Sequence, residues 1–343
     1  MIYCLYIIGG GGTFMSNFKN IIGHEQIIQH MSTALKSKKI SHAYIFEGPN
    51  DSGKNLLAKA FAKALECEAG YGDSCNMCRS CHQMNSGNQP DVKWLTHEKP
   101  MTISVDDIRK QINADMAIKP YSSKYKIYII DEAEKMNEQA QNALLKTIEE
   151  PPAYGIIMLL TNNLEAMLPT ILSRCITFHL KPVDQEKIVD LLTKEYGVPD
   201  YKARICASFS QGVVGKAISM AASEDFNDLQ YHVLNIVKNV QHMEVYEVVE
   251  AVKRLSAYKT DINDVIDMMM VWYRDVLILK VTKDANTIVY KDEYRSLMEQ
   301  AKRSSYEGLN EIIHSMEKAK KRLAANVNFE VAVEMMLLAM KEK

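Results

Sequence analysis

The period of the apolar positions changes once along this chain, near Pro182, and that change separates two structural classes. Before it, compact apolar runs alternate with stretches of helical spacing. Positions 21–39 carry the pattern of an amphipathic helix, and Ala43-Tyr-Ile-Phe46 comes next as a short run ending at a glycine-containing loop. Beyond the loop, Leu57, Phe61, Ala64 and Leu65 recur at helical spacing. Residues 91–95 predict a short strand, and Ser104 with Asp107 opens a helix on which Val105, Ile108 and Ile112 share a face. Ile127-Tyr-Ile-Ile130 runs directly into Asp131-Glu132, as a buried parallel strand delivers carboxylates to its carboxyl edge. Asn137 is placed to cap the next helix; Ala140, Ala143, Leu144, Thr147 and Ile148 line one side of it, and Pro151-Pro152 stop it. Residues 156–160 and 176–178 supply two more short buried strands. The repeated β-α-β order predicts an α/β domain, a parallel sheet with helices on both faces.

From Pro182 the strand signals fade and helical periodicity dominates through Met340. Segments 184–196 and 203–222 read as a small helical bundle, a polar link is expected about 223–228, and longer helices come after it. Met268-Met269-Met270 and Glu334-Met-Met-Leu-Leu338 read as packing surface between helices or subunits. A length of 343 residues allows two or three domains, and 47% apolar with 24% charged residues is ordinary for a globular chain. The net charge of -2 argues against a protein whose main business is coating nucleic acid. Residues 1–14 hold an apolar run followed by four glycines, without a basic segment and far short of a membrane span. Residues 1–15 are therefore expected to be an extension or the product of a mis-set start, with Met15 opening a conventional polar start. No run reaches membrane length, and a cytoplasmic location without membrane contact is expected.

Three constellations carry chemistry. The first is Gly48-Pro-Asn-Asp-Ser-Gly-Lys-Asn55, between a strand and a helix. In a phosphate loop, backbone amides cradle phosphates, a lysine reaches the β and γ oxygens, and a Ser or Thr hydroxyl holds Mg²⁺. Gly48, Gly53 and Lys54 fit that pattern; Asn55 stands where the hydroxyl belongs. Asp131 would then meet the metal through water and Glu132 would polarise an attacking water. ATP with Mg²⁺ is thus expected at a degenerate site, if at all. The second constellation is Cys67, Cys75, Cys78 and Cys81, whose spacing suits one tetrahedral Zn²⁺ with no open position, a structural metal. Seven cysteines in all, an odd number, and no secretory signal disfavour disulfides. His82 or His97 could replace a sulfur, but four cysteines make that unnecessary. The third is Ser173-Arg174-Cys175, just before the last strand. By itself it reads as a surface arginine in a salt bridge. An arginine presented from a sheet edge can also enter a neighbour's site and neutralise charge on a transferred phosphoryl group, worth roughly 10³ to 10⁵ in rate.

Taken together, these residues make the chain similar to the AAA+ clamp-loader subunits of bacterial DNA polymerase III, over residues 18–342. The marks are Ile22-Gly-His-Glu25, Ser41-His-Ala-Tyr-Ile-Phe46, the four cysteines, Ile130-Asp-Glu-Ala-Glu134, Asn142-Ala-Leu-Leu-Lys-Thr-Ile-Glu-Glu-Pro151 and Ile171-Leu-Ser-Arg-Cys175. The resemblance implies an AAA+ P-loop domain over 16–181 with a zinc module at 67–81, a helical lid over 182–227, and an all-α collar for oligomerisation over 228–343. It adds Asn162 and Lys216 to the nucleotide-binding candidates. Within the family, Asn55, Gly215 at the place of a nucleotide-sensing arginine, and the lack of a long extension favour the delta prime type over the gamma/tau ATPase type. Lys216, next to Gly215, would partly substitute for that arginine. The delta prime type implies a subunit with weak or no ATPase activity of its own. It would sit in a five-subunit ring with gamma/tau and delta, offer Arg174 in trans to a neighbour's ATP, and help load the sliding clamp onto primer-template DNA. The alternative is a gamma/tau-type ATPase that hydrolyses ATP itself.

Overall fold

The computed structural model describes residues 17–97, 99–285, 287–325 and 327–342. The leader at 1–15 lies outside the described residues. Backbone contacts group the chain into two units: one runs through Ile188 and takes in Gly212–Lys216, and the other comprises Val189–Gln211 and the chain from Ala217 onward.

The first unit is built on five strands: β1 (Ala43–Glu47), β2 (Val92–Trp94), β3 (Lys126–Ile130), β4 (Gly155–Thr161) and β5 (Ile176–His179). Their order is β2-β3-β4-β1-β5 and every pairing is parallel. Strand β1 lies between two neighbours, with Ile45 opposite both Leu159 of β4 and Thr177 of β5. Side chains alternate between the two faces, and the three central strands β1, β3 and β4 are buried nearly throughout because both faces are covered there. Tyr44, Phe46, Ile127, Ile129, Met158, Leu160 and Phe178 pack on one side with Leu57 and Phe61 of helix α2 (Lys54–Leu65), the helix α1 (Glu25–Ser37) preceding the sheet. Tyr44 meets Phe61 edge-on, ring centroids 5.1 Å apart. Ile45, Tyr128, Ile130, Ile157 and Leu159 pack on the other side with Ile108, Ile112, Leu144 and Ile148.

Local chemistry sets the helix ends. Asn137 accepts a bond from the Ala140 N-H and starts the helix Glu138–Glu149. Ser104 and Asp107 form a reciprocal capping box, and the helix they open contains a π-helical turn, Arg109–Asn113, that keeps Ile112 buried.

In the second unit all the described elements are helical. Met268, Met269, Trp272 and Tyr273 on the helix Ile262–Thr282 are fully buried, together with Leu309, Ile312, Val333 and Met336. The methionine clusters are thus packing surface between helices, although Met335 remains half exposed. Asp275, also fully buried, accepts bonds from the Val289 and Tyr290 N-H groups, and Trp272 Nε1 donates to Gln300 Oε1 at 2.6 Å.

Two helical expectations need correction. Segment 203–222 is broken into Asp200–Phe209 and Val214–Ala222, because Gln211 and Gly212 take left-handed conformations, φ 51° and 83°. A Cβ on Gly212 would lie 2.5 Å from Pro182 Cβ, so the break needs glycine. The expected polar link about 223–228 is not a link. Ser223 accepts a bond from the Phe226 N-H and caps a helix, Glu224–Asn239, that runs straight across the division expected at 227/228. Polar residues that resemble a linker in sequence here form an N-cap and first turn.

Candidate functional site

In a parallel sheet every strand delivers its last residue to the same edge. Three loops therefore converge beyond Glu47, Ile130 and Thr161, and they carry most of the sequence-predicted nucleotide residues. The first loop joins β1 to α2. Its geometry is set by Asp51 and Gly53 at φ 59° and 97°, and by the Gly48 N-H bonded to the Thr161 carbonyl at 3.1 Å. Lys54, buried as the first residue of α2, does not point away from the loop. Its Nζ donates to the Gly48 carbonyl at 2.6 Å and the Pro49 carbonyl at 2.8 Å. Burial lowers the lysine pKa, against the pull of Asp131 and Glu134. Asn55 donates through Nδ2 to Asp131 Oδ2 at 3.0 Å. The amide thus satisfies directly the carboxylate that a hydroxyl-held metal would otherwise meet.

Other contacts close the loop further. Asn162 donates from Nδ2 to Asn50 Oδ1 at 3.2 Å. The Gly215 N-H donates to the Asp51 carbonyl at 3.0 Å, and a Cβ on Gly215 would sit 2.7 Å from that oxygen. Lys216, half-buried, is its neighbour in the same helix. His24 Nε2 lies 3.3 Å from the Ser52 carbonyl. Lys54, Asn55, Asp131 and Asn162 are therefore brought together on this edge, each with a protein partner. Glu132 is turned aside. At φ 51° it comes directly after Asp131, and its carboxylate is held by Lys135 Nζ at 2.6 Å, with His97 Nε2 at 4.0 Å.

Arg174 belongs to a different edge. It precedes β5, whose first residue Ile176 is in register with Tyr44 near the start of β1, while His179 is in register with Glu47 at its end. The strand alone spans about 10 Å at roughly 3.3 Å per residue, so Arg174 sits on the amino edge, away from its own chain's phosphate loop. Its guanidinium contacts Glu149 Oε1 at 3.0 Å, the Thr170 carbonyl at 3.0 Å and Ser173 Oγ at 3.1 Å, with 41% of the side chain exposed. An exposed ion pair of this kind contributes little to stability and releases easily. Cys175, beside it, packs toward the core, and burial pushes its thiol up to about 12.

The four predicted ligand sulfurs of Cys67, Cys75, Cys78 and Cys81 lie within 4.8 Å of one another. A tetrahedral site with Zn-S of about 2.3 Å needs sulfurs about 3.8 Å apart, so a small contraction suffices. The Cys75 N-H points at Cys67 Sγ (3.3 Å), the Cys78 N-H at Cys75 Sγ (3.3 Å) and the Cys81 N-H at Cys78 Sγ (3.4 Å). Such donors stabilise thiolates; the Met77 N-H, with that of Cys78 and others, brings the Cys75 thiol down to about 6. Burial acts the other way on Cys81. The donor set and its spacing fit a structural zinc.

Sequence reasoning missed three partners. Glu149 holds Arg174, and no local pattern pairs residues that meet only across a helix end and a loop. Asp51 contacts Gly215 through backbone alone. Lys63 is fully buried beside the cysteines; it lies i, i+4 from the half-buried Lys59, so in sequence the two lysines read as one polar helix face and give no signal of the enclosure.

Comparison with known proteins places these features in context. Residues 23–184 match a family model described as DNA polymerase III, delta subunit, and residues 232–342 match one described as DNA polymerase III, delta subunit, C terminal. The chain is 28% identical to DNA polymerase III subunit delta prime of Bacillus subtilis (strain 168), over 92% of this chain and 96% of that protein. It is 31% identical to DNA polymerase III subunit tau of the same organism, over 92% of this chain but 60% of tau. A gamma subunit-related protein of Thermotoga maritima, solved by crystallography, covers 92% of this chain and 98% of its own at 18% identity and a TM-score of 0.42. No helix among the described residues is long and apolar enough to cross a membrane.

Proposed function

The chain belongs to the delta prime family of DNA polymerase III clamp-loader subunits, and from that premise we propose that it works in trans, as the member of the loader that supplies Arg174 to an adjacent subunit's ATP. The α/β unit is of AAA+ type. The proposed partners are gamma/tau and delta subunits in a five-subunit ring, which together place a sliding clamp on primer-template DNA in the cytoplasm. We assign the lid to residues 182–222 and the collar to the helices from Ser223 onward, since the capped helix Glu224–Asn239 crosses the division first expected at 227/228.

One observation carries this reading: the arginine and the phosphate loop occupy opposite edges of one parallel sheet. A guanidinium at the amino edge cannot serve the triphosphate position of its own chain, and its carboxylate partner, Glu149, is an exposed one that a γ-phosphate can replace. The other side of the reading is the chain's own nucleotide loop. Lys54 is bound to its loop's carbonyls, Asn55 to Asp131, Asn162 to Asn50 and Gly215 to Asp51, so binding a nucleotide would require breaking several bonds at once. Glu132, engaged by Lys135, is no base aimed at water. These contacts support weak or absent ATP turnover by the chain itself. The four cysteines would hold Zn²⁺ in a purely structural role, tying the loop at 67–81 to the end of α2.

The test is a loader reassembled with Arg174→Ala. ATP turnover at the site facing this subunit should fall by about 10³, and clamp loading on primed DNA should fall with it. Lys54→Ala should leave both unchanged. A reassembled loader that hydrolyses and loads at full rate with Arg174→Ala, but fails with Lys54→Ala, would establish the gamma/tau-type enzyme instead.

A further inference from the structure

Lys63 is the one charged side chain of α2 that is fully enclosed, with no exposed surface at all. Among the described residues its ammonium group has no carboxylate within salt-bridge distance; instead Nζ donates to two amide oxygens, Oδ1 of Asn76 and Oδ1 of Asn85, the latter at 2.7 Å. A buried cation without an ion-pair partner is costly in a protein interior and is kept only where something compensates it. The charged and titratable groups that face it act in both directions. Burial acts most strongly and lowers its pKa; Cys81, Asp73 and Cys75 favour its charge, while Lys59 on its own helix opposes it. Asp73 is already committed, accepting the Phe18 and Ser74 N-H groups. The two amides come from opposite sides of the metal loop: Asn76 forms the left-handed turn between Cys75 and Cys78, at φ 61°, and Asn85 ends the helix that begins after Cys78.

We propose that Lys63 is the charge-compensating and positioning residue of the four-cysteine metal centre: its buried ammonium balances the net negative charge of a tetrathiolate zinc complex while its two amide partners hold both halves of the ligand loop. The inference rests on the zinc reading above. Zn²⁺ with four thiolates carries two surplus negative charges, and only part of that is offset by the backbone N-H donors at the sulfurs. A fixed cation one helical turn before Cys67 offsets more of it in a region of low dielectric, where its effect is large. The same arrangement explains why the ammonium needs no carboxylate. It also gives α2 a role at both ends, since Lys54 opens the helix at the phosphate loop and Lys63 closes it over the metal.

The experiment is chelator competition for Zn²⁺ on the full chain, read by a zinc-sensitive dye, with Co²⁺ substitution to follow the thiolate-to-metal charge-transfer band. Lys63→Met should weaken the metal about 10- to 100-fold, the range found for removal of groups that support metal ligands, and should shift the Co²⁺ band. Lys63→Arg, which keeps the charge, should recover most of the affinity. A merely structural lysine would damage the metal-free and metal-loaded forms alike and leave the affinity unchanged. Equal affinity in Lys63→Met and wild type, or equal loss in Lys63→Met and Lys63→Arg, overturns the proposal while leaving the zinc site standing. No metal retained by the wild-type chain under reducing conditions overturns the zinc reading itself.

Discussion

Gly215→Ala tests whether the nucleotide loop is held shut by contact with the chain after residue 212. Two effects oppose each other. Gly215 is the second residue of a helix, where alanine is better than glycine by up to about 1 kcal/mol. Against this, the new Cβ would lie 2.7 Å from the Asp51 carbonyl oxygen and 2.8 Å from the Asp51 Cβ. Neither atom can rotate away, because Asp51 is fixed in a left-handed turn at φ 59°. The helix must therefore lift, which loses the Gly215 N-H bond to Asp51, about 1 kcal/mol, and adds overpacking of about 1 to 3 kcal/mol. The clash wins, leaving a net destabilisation of about 1 to 3 kcal/mol. Calorimetry of the full chain should show the melting transition of the α/β unit lowered by roughly 2 to 4 °C for each kcal/mol. A variant that melts at or above the wild-type temperature would show that helix propensity outweighs the contact and that the loop is not braced there. The same geometry means that an arginine at 215 could not be accommodated without moving the loop.

The other expectations concern the loop's chemistry and acid stability. Asn55→Thr restores a hydroxyl but leaves Lys54 on the Gly48 and Pro49 carbonyls and Gly215 against Asp51, so titration with a fluorescent ATP analogue should show no more than about a tenfold gain, roughly one 1.4 kcal/mol step; tight binding by this single variant would refute the closed-loop account. Asp91, almost fully buried, accepts N-H bonds from Tyr121, Ser122 and Ser123 and so orders the turn before β3. Burial opposes its ionisation, but those donors outweigh it and hold the pKa below the ordinary aspartate value. Its stabilisation is therefore complete above the ordinary aspartate value and is lost as pH falls through the lower folded one. Urea midpoints should drop in that acid range in the wild type and much less in Asp91→Asn, which should already be weaker near neutral pH; parallel curves would refute the assignment.

Several features are legible in the residues alone. Alternating apolar runs and helical stretches specify a buried parallel sheet, since only strands covered on both faces can be apolar throughout, as in Ile127-Tyr-Ile-Ile130. The cysteine spacing specifies a loop on which four sulfurs come together, because short-range geometry decides whether sulfurs can converge. Caps such as Asn137 are local too. The polar run after Ser223 misleads for the same reason in reverse, since a cap and a linker share one composition.

Other properties emerge only with the chain folded. That Asn55 donates to Asp131, that Lys54 turns back on its own loop, that Glu149 occupies Arg174, and that Lys63 is shut in with the cysteines are all contacts between residues far apart in sequence or hidden by packing. Residue types and spacing determine which groups are present and what each is able to do. Which of them meet, and on which edge of the sheet, depends on strand order and direction, because register in a sheet is a long-range relation that no local pattern encodes.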